Sequence, residues 1–322
     1  MKAVVVDKYG GPEVLRVKDV EKPYPKKGEL LVKLYAAGVN PVDTYLRNGT
    51  QGYAPKLPWT PGLDGAGVLE AIGAETPVPE GIQVGSRVYT AGSLSGTYAE
   101  YCLCGPDQVF LLPEELDWRE GASLGIPYFT AARALFTKGN VSAGESLLVH
   151  GASGGVGLAA LQLAADINVR AAGTASSDSG RKLVETCGAA CFNHHDAMHI
   201  AQIQDYFGGA VNIIIEMLAD VNLADDLTLL SSGGRVVVVG SRGKIDIEPR
   251  FLMTTESMVV GVRVLQATKE EKKQYARRIA AGAKTGKVKP PVAKEYSLEQ
   301  AGEAHRQIIK GPHAGNFLIS IG

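Results

Sequence analysis

The run Ser146-Leu-Leu-Val-His-Gly-Ala-Ser-Gly-Gly-Val-Gly-Leu158 constrains this chain more than any other stretch. The apolar residues that open it read as a buried strand, the small residues as a tight turn, and Leu158–Ala165 as a helix rich in leucine and alanine. Strand, glycine-rich turn and helix together make a cradle for a pyrophosphate. Glycine lets backbone N–H groups approach the phosphate oxygens, and the helix N-terminus adds positive partial charge. The turn departs from the strict G-x-G-x-x-G spacing: its first small residue is Ala152, followed by Gly154, Gly155 and Gly157. Tight turns need glycine for plain steric reasons too, so the flanks decide. Here a strand precedes the turn, a helix follows it, and a second apolar run comes at Val169–Ala172. The unit predicts dinucleotide binding.

At 322 residues the chain is long enough for two domains. A formal net charge of -1 provides no general attraction to nucleic acid or to an anionic membrane. No apolar run is long enough to span a bilayer. Lys2–Val6 already reads as a strand, so no targeting segment is visible at this end. The four cysteines are too sparse for a disulfide framework. Cys102 and Cys104 share one strand face, Cys187 and Cys191 straddle a glycine, and neither pair has zinc-ribbon spacing. Free thiols in a reducing cytosol are expected.

Residues 1–115 carry short β-branched runs, such as Leu30–Leu34, Gly67–Ile72 and Arg87–Tyr89, separated by Gly and Pro turn signals. They predict a mostly antiparallel β domain. Near Glu120 the texture changes, and Gly121–Phe136 reads as a helix interrupted by Pro127. Beyond it, strands at Leu147–His150, Val169–Gly173, Ala190–Phe192, Asn212–Glu216, Arg235–Val239 and Ser257–Val264 alternate with helices near Leu158–Ala165, Gly180–Thr186, Met198–Tyr206 and Ala224–Leu230. Such alternation implies a parallel, doubly wound sheet. A charged helix, Lys269–Ala283, and a last strand, Gly315–Ile321, follow. The C-terminus is expected to return to the first domain, which divides the chain into 1–126 with 266–322, and 127–265. The cleft between the two domains is the expected active site.

The second strand of the dinucleotide unit ends Gly173-Thr-Ala-Ser-Ser177, with no carboxylate at its tip. An acidic residue there would accept the ribose 2′-hydroxyls of NAD; hydroxyls with Arg181 and Lys182 nearby suit a 2′-phosphate. NADPH is therefore expected, with Ser176 and Lys182 beside the phosphate. Solvated helix charges are the alternative reading of the two cations.

The chain also resembles a known group, the zeta-crystallin-type quinone oxidoreductases of the medium-chain dehydrogenase/reductase superfamily. The resemblance runs from the first strand to the last. It is carried by Gly10–Leu15, Gly38–Tyr45, Thr60-Pro-Gly62, Gly96–Tyr101, Gly125–Ala131, Val149–Leu158, Ile213–Ala219 and Val239–Gly243. It implies an α/β protein with a GroES-like, β-rich catalytic domain and a Rossmann domain. It also implies an NADPH-dependent reductase of quinones, ortho-quinones in particular, forming cytosolic homotetramers. Carried over to matching positions, it puts Tyr45 at the nicotinamide end and Ser153, Gly154, Gly155 and Val156 on the pyrophosphate. Ser176 falls at the 2′-phosphate, and His194 and Asn222 along the adenosine side. Val239, Gly240, Ser241 and Arg242 follow the fifth strand, and Val262, Arg263 and Val264 flank the nicotinamide. Tyr128 and Thr130 fall where the linking helix should meet the cofactor, with core packing as the alternative.

Zinc-dependent relatives hold the metal with a cysteine after Gly-Val and a His-Glu pair after Pro-x-x-Gly. Here those positions are Asn40, Leu63 and Asp64, and neither Asn40 nor Leu63 is a plausible ligand. No metal is expected, and His194, His195 and His199 read as surface or cofactor-side residues. A quinone is electrophilic enough to accept hydride without a Lewis acid, whereas a simple alcohol or aldehyde needs one. Asn40 and Tyr45 are the candidate catalytic groups, each able to hydrogen-bond a developing oxyanion. Alternatively, Asn40 only stabilises the turn before Pro41 and Tyr45 only packs on the nicotinamide.

Other readings remain open. One is an NADPH-dependent 2-alkenal or enone reductase; another is one-electron reduction of the quinone. The resemblance also raises a non-enzymatic role as a lens crystallin or a binder of AU-rich RNA, although Lys269–Lys273 and Lys284–Lys289 form no strong basic track. Ser257–Leu265 as a sheet edge predicts self-association, as a dimer or tetramer.

Overall fold

The computed structural model describes residues 1–50, 52–311 and 314–322, and the chain divides into two compact units. The first comprises Met1–Pro127, Lys289–Gly311 and Asn316–Gly322; the second comprises Tyr128–Val288 and Pro312–Gly315.

In the first unit, Lys2–Val5 (β1) pairs antiparallel with Arg16–Asp19 (β2). The main sheet is built from Leu30–Val39 (β3), Asp64–Ile72 (β4), Arg87–Ala91 (β5), Tyr101–Cys104 (β6) and Val109–Leu111 (β7), joined by two strands from the end of the chain. β3 is the spine: it is paired antiparallel by both β4 and β6, and it is apolar along nearly its whole length because both of its faces are covered. Gly67 sits where the two longest strands press together; a Cβ there would lie 1.8 Å from the carbonyl oxygen of Lys33.

The second unit holds a six-stranded sheet: Ser146–Val149 (β8), Arg170–Thr174 (β9), Ala190–Phe192 (β10), Val211–Glu216 (β11), Leu230–Val238 (β12) and Met258–Gly261 (β13). Every neighbouring pair is parallel. The order β10-β9-β8-β11-β12-β13 reverses direction between β8 and β11. That is the two-halved dinucleotide arrangement, with its ligand crevice at the carboxyl ends of β8 and β11. Leu148, Ala172, Ile214 and Val236 form the buried middle of the sheet and pack with Ile203 and Leu227 from its helices.

Val292–Tyr296 (β14) and Asn316–Ser320 (β15) then close the first unit. β15 lies antiparallel to β3, so the end of the chain completes the sheet that its beginning starts. Helix Ala301–Lys310 buries Ala301, Ala304 and Ile308 in the same apolar cluster as Val32 and Leu69.

Several boundaries differ from the sequence expectation. Pro127 does not break its helix: it lies in the first turn of Gly125–Ala132, where the missing N–H costs nothing, and the chain turns earlier, between the helices Trp118–Ala122 and Gly125–Ala132. The last parallel strand stops at Gly261 rather than Val264, although Val262 still donates to the carbonyl of Val238 at 2.9 Å. Residues 266–288, expected with the first domain, group with the second unit. Their helix, Lys269–Lys284, looks solvated in sequence because it is so charged, but it buries Tyr275, Ile279 and Ala283. The Tyr275 hydroxyl lies 2.6 Å from that of Thr137, its ring packs edge-on against Phe129, and Glu271 pairs with Arg133.

Ile214 is fully buried at the centre of the parallel sheet. Ile214→Ala is expected to cost about 2–5 kcal/mol of stability. Denaturant titration reads this directly, and a loss below about 1 kcal/mol would show that the sheet is not packed as described.

Candidate active site

The phosphate loop is built by close approach. Helix Gly155–Ala164 starts behind Gly154, which caps it in an extended conformation. A Cβ on Gly157 would lie 2.6 Å from both the Cα of Ala152 and the carbonyl oxygen of Gly151, so only glycine lets the helix sit this close to its loop. Gly151 has φ +59, and the Ala152 N–H donates to the carbonyl of Thr174 at 2.9 Å. The first N–H groups of such a helix have no partner within it, which leaves donors for an anion at Gly155 and Val156. Ser153, Gly154, Gly155 and Val156 are all partly exposed. The cradle therefore fits the pyrophosphate expected from the sequence.

The other residues expected to contact the nucleotide lie at the neighbouring strand ends and on the helices and turns around them. Ser176 follows the end of β9 and is half-buried, and Ser177 caps helix Asp178–Thr186 by accepting from Gly180 N–H at 3.1 Å. Arg181 pairs with Asp178 on the same helix, and Lys182 is exposed. Val239 N–H donates to the carbonyl of Glu216 at 2.8 Å, and Gly240 N–H to the same oxygen at 3.3 Å. Asp220 accepts from Arg242 N–H at 2.7 Å and from the Ser241 hydroxyl at 3.4 Å, fixing the turn after β12. Asn222 lies on helix Ala219–Leu229 with its amide nitrogen against Glu216. His194 is on the surface, its ring 4.5 Å from that of His195. Thr130 is buried in helix Gly125–Ala132, which favours its packing role. Val262 is half-buried, Arg263 is exposed, and Val264 opens a short 3-10 turn just past β13.

In the first unit, Asn40 caps helix Pro41–Asn48, which carries Tyr45 one turn further on. The Asn40 amide donates to Asp64 Oδ2 at 2.7 Å, and Asp64 Oδ1 accepts from Ile126 N–H at 2.7 Å. Gly125 makes the second contact sterically accessible: a Cβ there would lie 2.2 Å from Asp64 Oδ1. Burial pushes the Asp64 carboxyl well above the ordinary carboxylate range, against the two hydrogen bonds. Burial likewise pushes Asp43 up to about 7, although its Oδ2 accepts from Asn40 N–H at 2.8 Å and from the Tyr98 hydroxyl at 3.2 Å. Behind Tyr98, the ring of His305 bridges to Arg47: Nε2 lies 3.1 Å from the Tyr98 oxygen and Nδ1 lies 3.2 Å from Arg47 Nη1. Arginine only donates, so Nδ1 accepts and Nε2 carries the proton. Burial and the Arg47 charge push His305 down to about 3, which keeps it in that neutral form. Every hydrogen bond in the chain from Arg47 to Asp43 thus points one way.

Asp64 and Asp43 escaped the sequence reading as functional groups, as did Asp220. Asp43 does stand three positions after Asn40, the spacing of a helix capping box, but the partners of the others come from distant parts of the chain or are backbone groups.

Residues 155–281 match the zinc-binding dehydrogenase family, and residues 26–114 match the alcohol dehydrogenase GroES-like domain. A solved NAD-dependent alcohol dehydrogenase superposes with a TM-score of 0.91 at 26% identity, over all of both chains. A mycobacterial protein solved with NADPH superposes at 0.90 with 28% identity, again over all of both. The fold and its two halves are those of a medium-chain dehydrogenase/reductase, an oxidoreductase. Among curated proteins, human quinone oxidoreductase is 50% identical over 322 residues, 99% of this chain and 97% of its own. The mouse quinone oxidoreductase is 49% identical over 316 residues, 97% of this chain and 95% of its own. The chain belongs to the quinone oxidoreductase family.

A carboxyl whose folded pKa is raised destabilises the folded state once it ionises. Stability tied to Asp43 is therefore expected to be present below its unfolded value near 4 and to fall as pH rises through about 7. Asp43→Asn, which mimics the protonated form, should gain melting temperature relative to the parent between pH 5.5 and 8.5. A difference that stays constant across that range would contradict the assignment.

Proposed function

We propose that this chain is an NADPH-dependent quinone reductase that works without zinc. The carrying observation is Asn40: the position where zinc relatives place a cysteine ligand holds an amide bonded at 2.7 Å to a buried carboxyl. Leu63 offers no ligand atom at all. An amide committed to Asp64 is a poor ligand but a good donor, since Nδ2 keeps a second hydrogen. The family supports quinones as acceptors. The absence of a carboxylate at the end of β9, together with the mycobacterial relative solved with NADPH, supports the phosphorylated cofactor.

Ser153, Gly154, Gly155 and Val156 hold the pyrophosphate on this reading. Ser176 and Lys182 take the 2′-phosphate, Asn222 and His194 the adenosine side, and Val239–Arg242 with Val262–Val264 the nicotinamide half. Bound NADPH supplies a hydride from its reduced nicotinamide. Asn40 and Tyr45 act as hydrogen-bond donors to the quinone oxygen as negative charge builds there. Asp64 fixes which of the amide hydrogens of Asn40 is free. A quinone anion is delocalised, so this degree of stabilisation is enough and no committed general acid is required.

We further assign a cytosolic location, from four free thiols, and a homo-oligomeric state. No helix among the described residues is long and apolar enough to cross a membrane. β13 lies at the edge of the parallel sheet with Met258 and Val259 exposed. A two-fold mate pairing along this edge extends the sheet across subunits.

With NADPH as donor, 9,10-phenanthrenequinone is expected to be reduced far faster than a 2-alkenal, and NADH to be the poorer donor. Faster turnover of the alkenal would replace this reading with the enone reductase. Tyr45→Phe should lower kcat modestly, about tenfold or less. A loss of about a thousandfold would mean that the site needs a dedicated proton donor. Light scattering should give a multiple of the 33.9 kDa protomer mass, reduced by Val259→Lys. A monomeric parent protein would contradict the edge assignment.

A further inference from the structure

One buried group of charged side chains has no part in the roles above. His150 follows β8, Glu216 ends β11, and Asp226 lies on helix Ala219–Leu229; all three are buried. His150 Nε2 is 2.9 Å from Asp226 Oδ1 and 3.9 Å from Glu216 Oε2. The closer contact is at ion-pair distance, and Asp226 Oδ2 has no donor among the described residues. Burying two carboxylates beside one imidazole is costly, and partners for the remaining oxygens do not make it good. Such a cluster is therefore weak as a source of stability. Its location gives it another role.

β8 and β11 are the two strands between which the sheet reverses order, the place where this architecture receives its ligand. The cluster sits on the tips of both strands. From His150, Nδ1 lies 3.3 Å from Thr174 Oγ1 at the end of β9, and the same hydroxyl accepts from Gly151 N–H at 3.2 Å. From Glu216, the carboxylate accepts from Leu218 N–H and takes the Asn222 amide nitrogen on both oxygens, at 3.1 and 3.2 Å. That orientation commits the Asn222 nitrogen to Glu216 and leaves its carbonyl oxygen as the free group, an acceptor suited to a ribose hydroxyl. Burial raises Glu216 to about 7, with Asp226 adding to the effect and His150 opposing it. Burial also acts against the charge on His150, but the carboxylates of Asp226, Glu216 and Asp225 outweigh it and the net direction is upward.

We propose that His150, Glu216 and Asp226 are positioning residues for the dinucleotide: they set the backbone of residues 150–151 and 216–218 and the amide of Asn222, and thereby fix NADPH affinity without touching it. The inference rests on the reading that this chain binds NADPH. It separates cofactor affinity from hydride transfer, because none of the three side chains belongs to the unit that carries Asn40 and Tyr45.

The test uses the full-length protein and the variants Asp226→Asn, Glu216→Gln and Thr174→Val. NADPH dissociation constants come from calorimetry, and kcat and KM from steady-state turnover. Asp226→Asn and Glu216→Gln should each raise the NADPH dissociation constant about tenfold. The kcat at saturating NADPH and the KM for quinone should stay within about twofold. Because the residues act as one unit, the double variant should be hardly worse than the worse single one. Thr174→Val, which removes only the hydroxyl link, keeps the test open if the charge variants fold poorly; it should weaken NADPH by about threefold. Unchanged affinity in the folded variants overturns the proposal. So does a parallel fall in kcat and quinone affinity. Stoichiometric metal in the parent protein, lost in Asp226→Asn, also overturns it and makes the cluster a metal site. If the parent protein itself fails to bind NADPH, the functional reading fails instead, and the calorimetry distinguishes the two cases.

Discussion

The close approach of the phosphate loop to the helix that follows it is the contact on which the nucleotide half depends. Gly157 permits it, since any side chain there would strike Ala152 and the carbonyl of Gly151. Gly173 does the same on the adjacent strand, where a Cβ would lie 2.4 Å from that of Ala152. Small residues on both sides let the ends of β8 and β9 converge under the turn. Backbone N–H groups are then open to an anion whose several oxygens can accept them at once, as those of a pyrophosphate can. Parallel winding outward from β8 and β11 opens the crevice above, and the turns after β11 and β12 line it.

Much of this was legible in the sequence. The turn at Gly151–Gly157 announced itself because its chemistry is local: a strand, four glycines and a helix fall in one continuous stretch. The β-rich character of residues 1–115 followed from β-branched runs and turn residues, and the return of the C-terminus to the first domain from short β segments at both ends, although the pairing of the last strand with β3 was not foreseen. The assignment of Lys269–Lys284 did not. A helix with a narrow buried face and a dense charged face gives no hint in sequence of which domain receives that face. The strand ending at Gly261 was read too long because Val262 and Val264 keep the β-branched pattern after the pairing has ended.

The candidate site was legible only in part, for a related reason. Asn40 and Tyr45 stood out through family motifs, but Asp64, 24 positions from Asn40, became a partner only through the pairing of β3 with β4. The chain from Arg47 through His305 and Tyr98 to Asp43 joins residues up to 258 positions apart. Long-range polar contacts of this kind depend on fold geometry, and no spacing rule encodes them. They share one physical trait: burial holds the carboxyls of Asp43, Asp64 and Glu216 above their ordinary range. Burial thus favours the neutral form of these three carboxyls, whereas pairs such as Lys18 with Asp7 lie exposed on the surface.

The proposed function rests on an acceptor reactive enough to need only positioning and hydrogen bonding. The most direct measurement is NADPH oxidation by an ortho-quinone, using protein stripped of metal by chelation and verified by elemental analysis. Turnover equal to that of untreated protein is predicted. Activity that vanishes on stripping and returns with one equivalent of zinc would contradict the account.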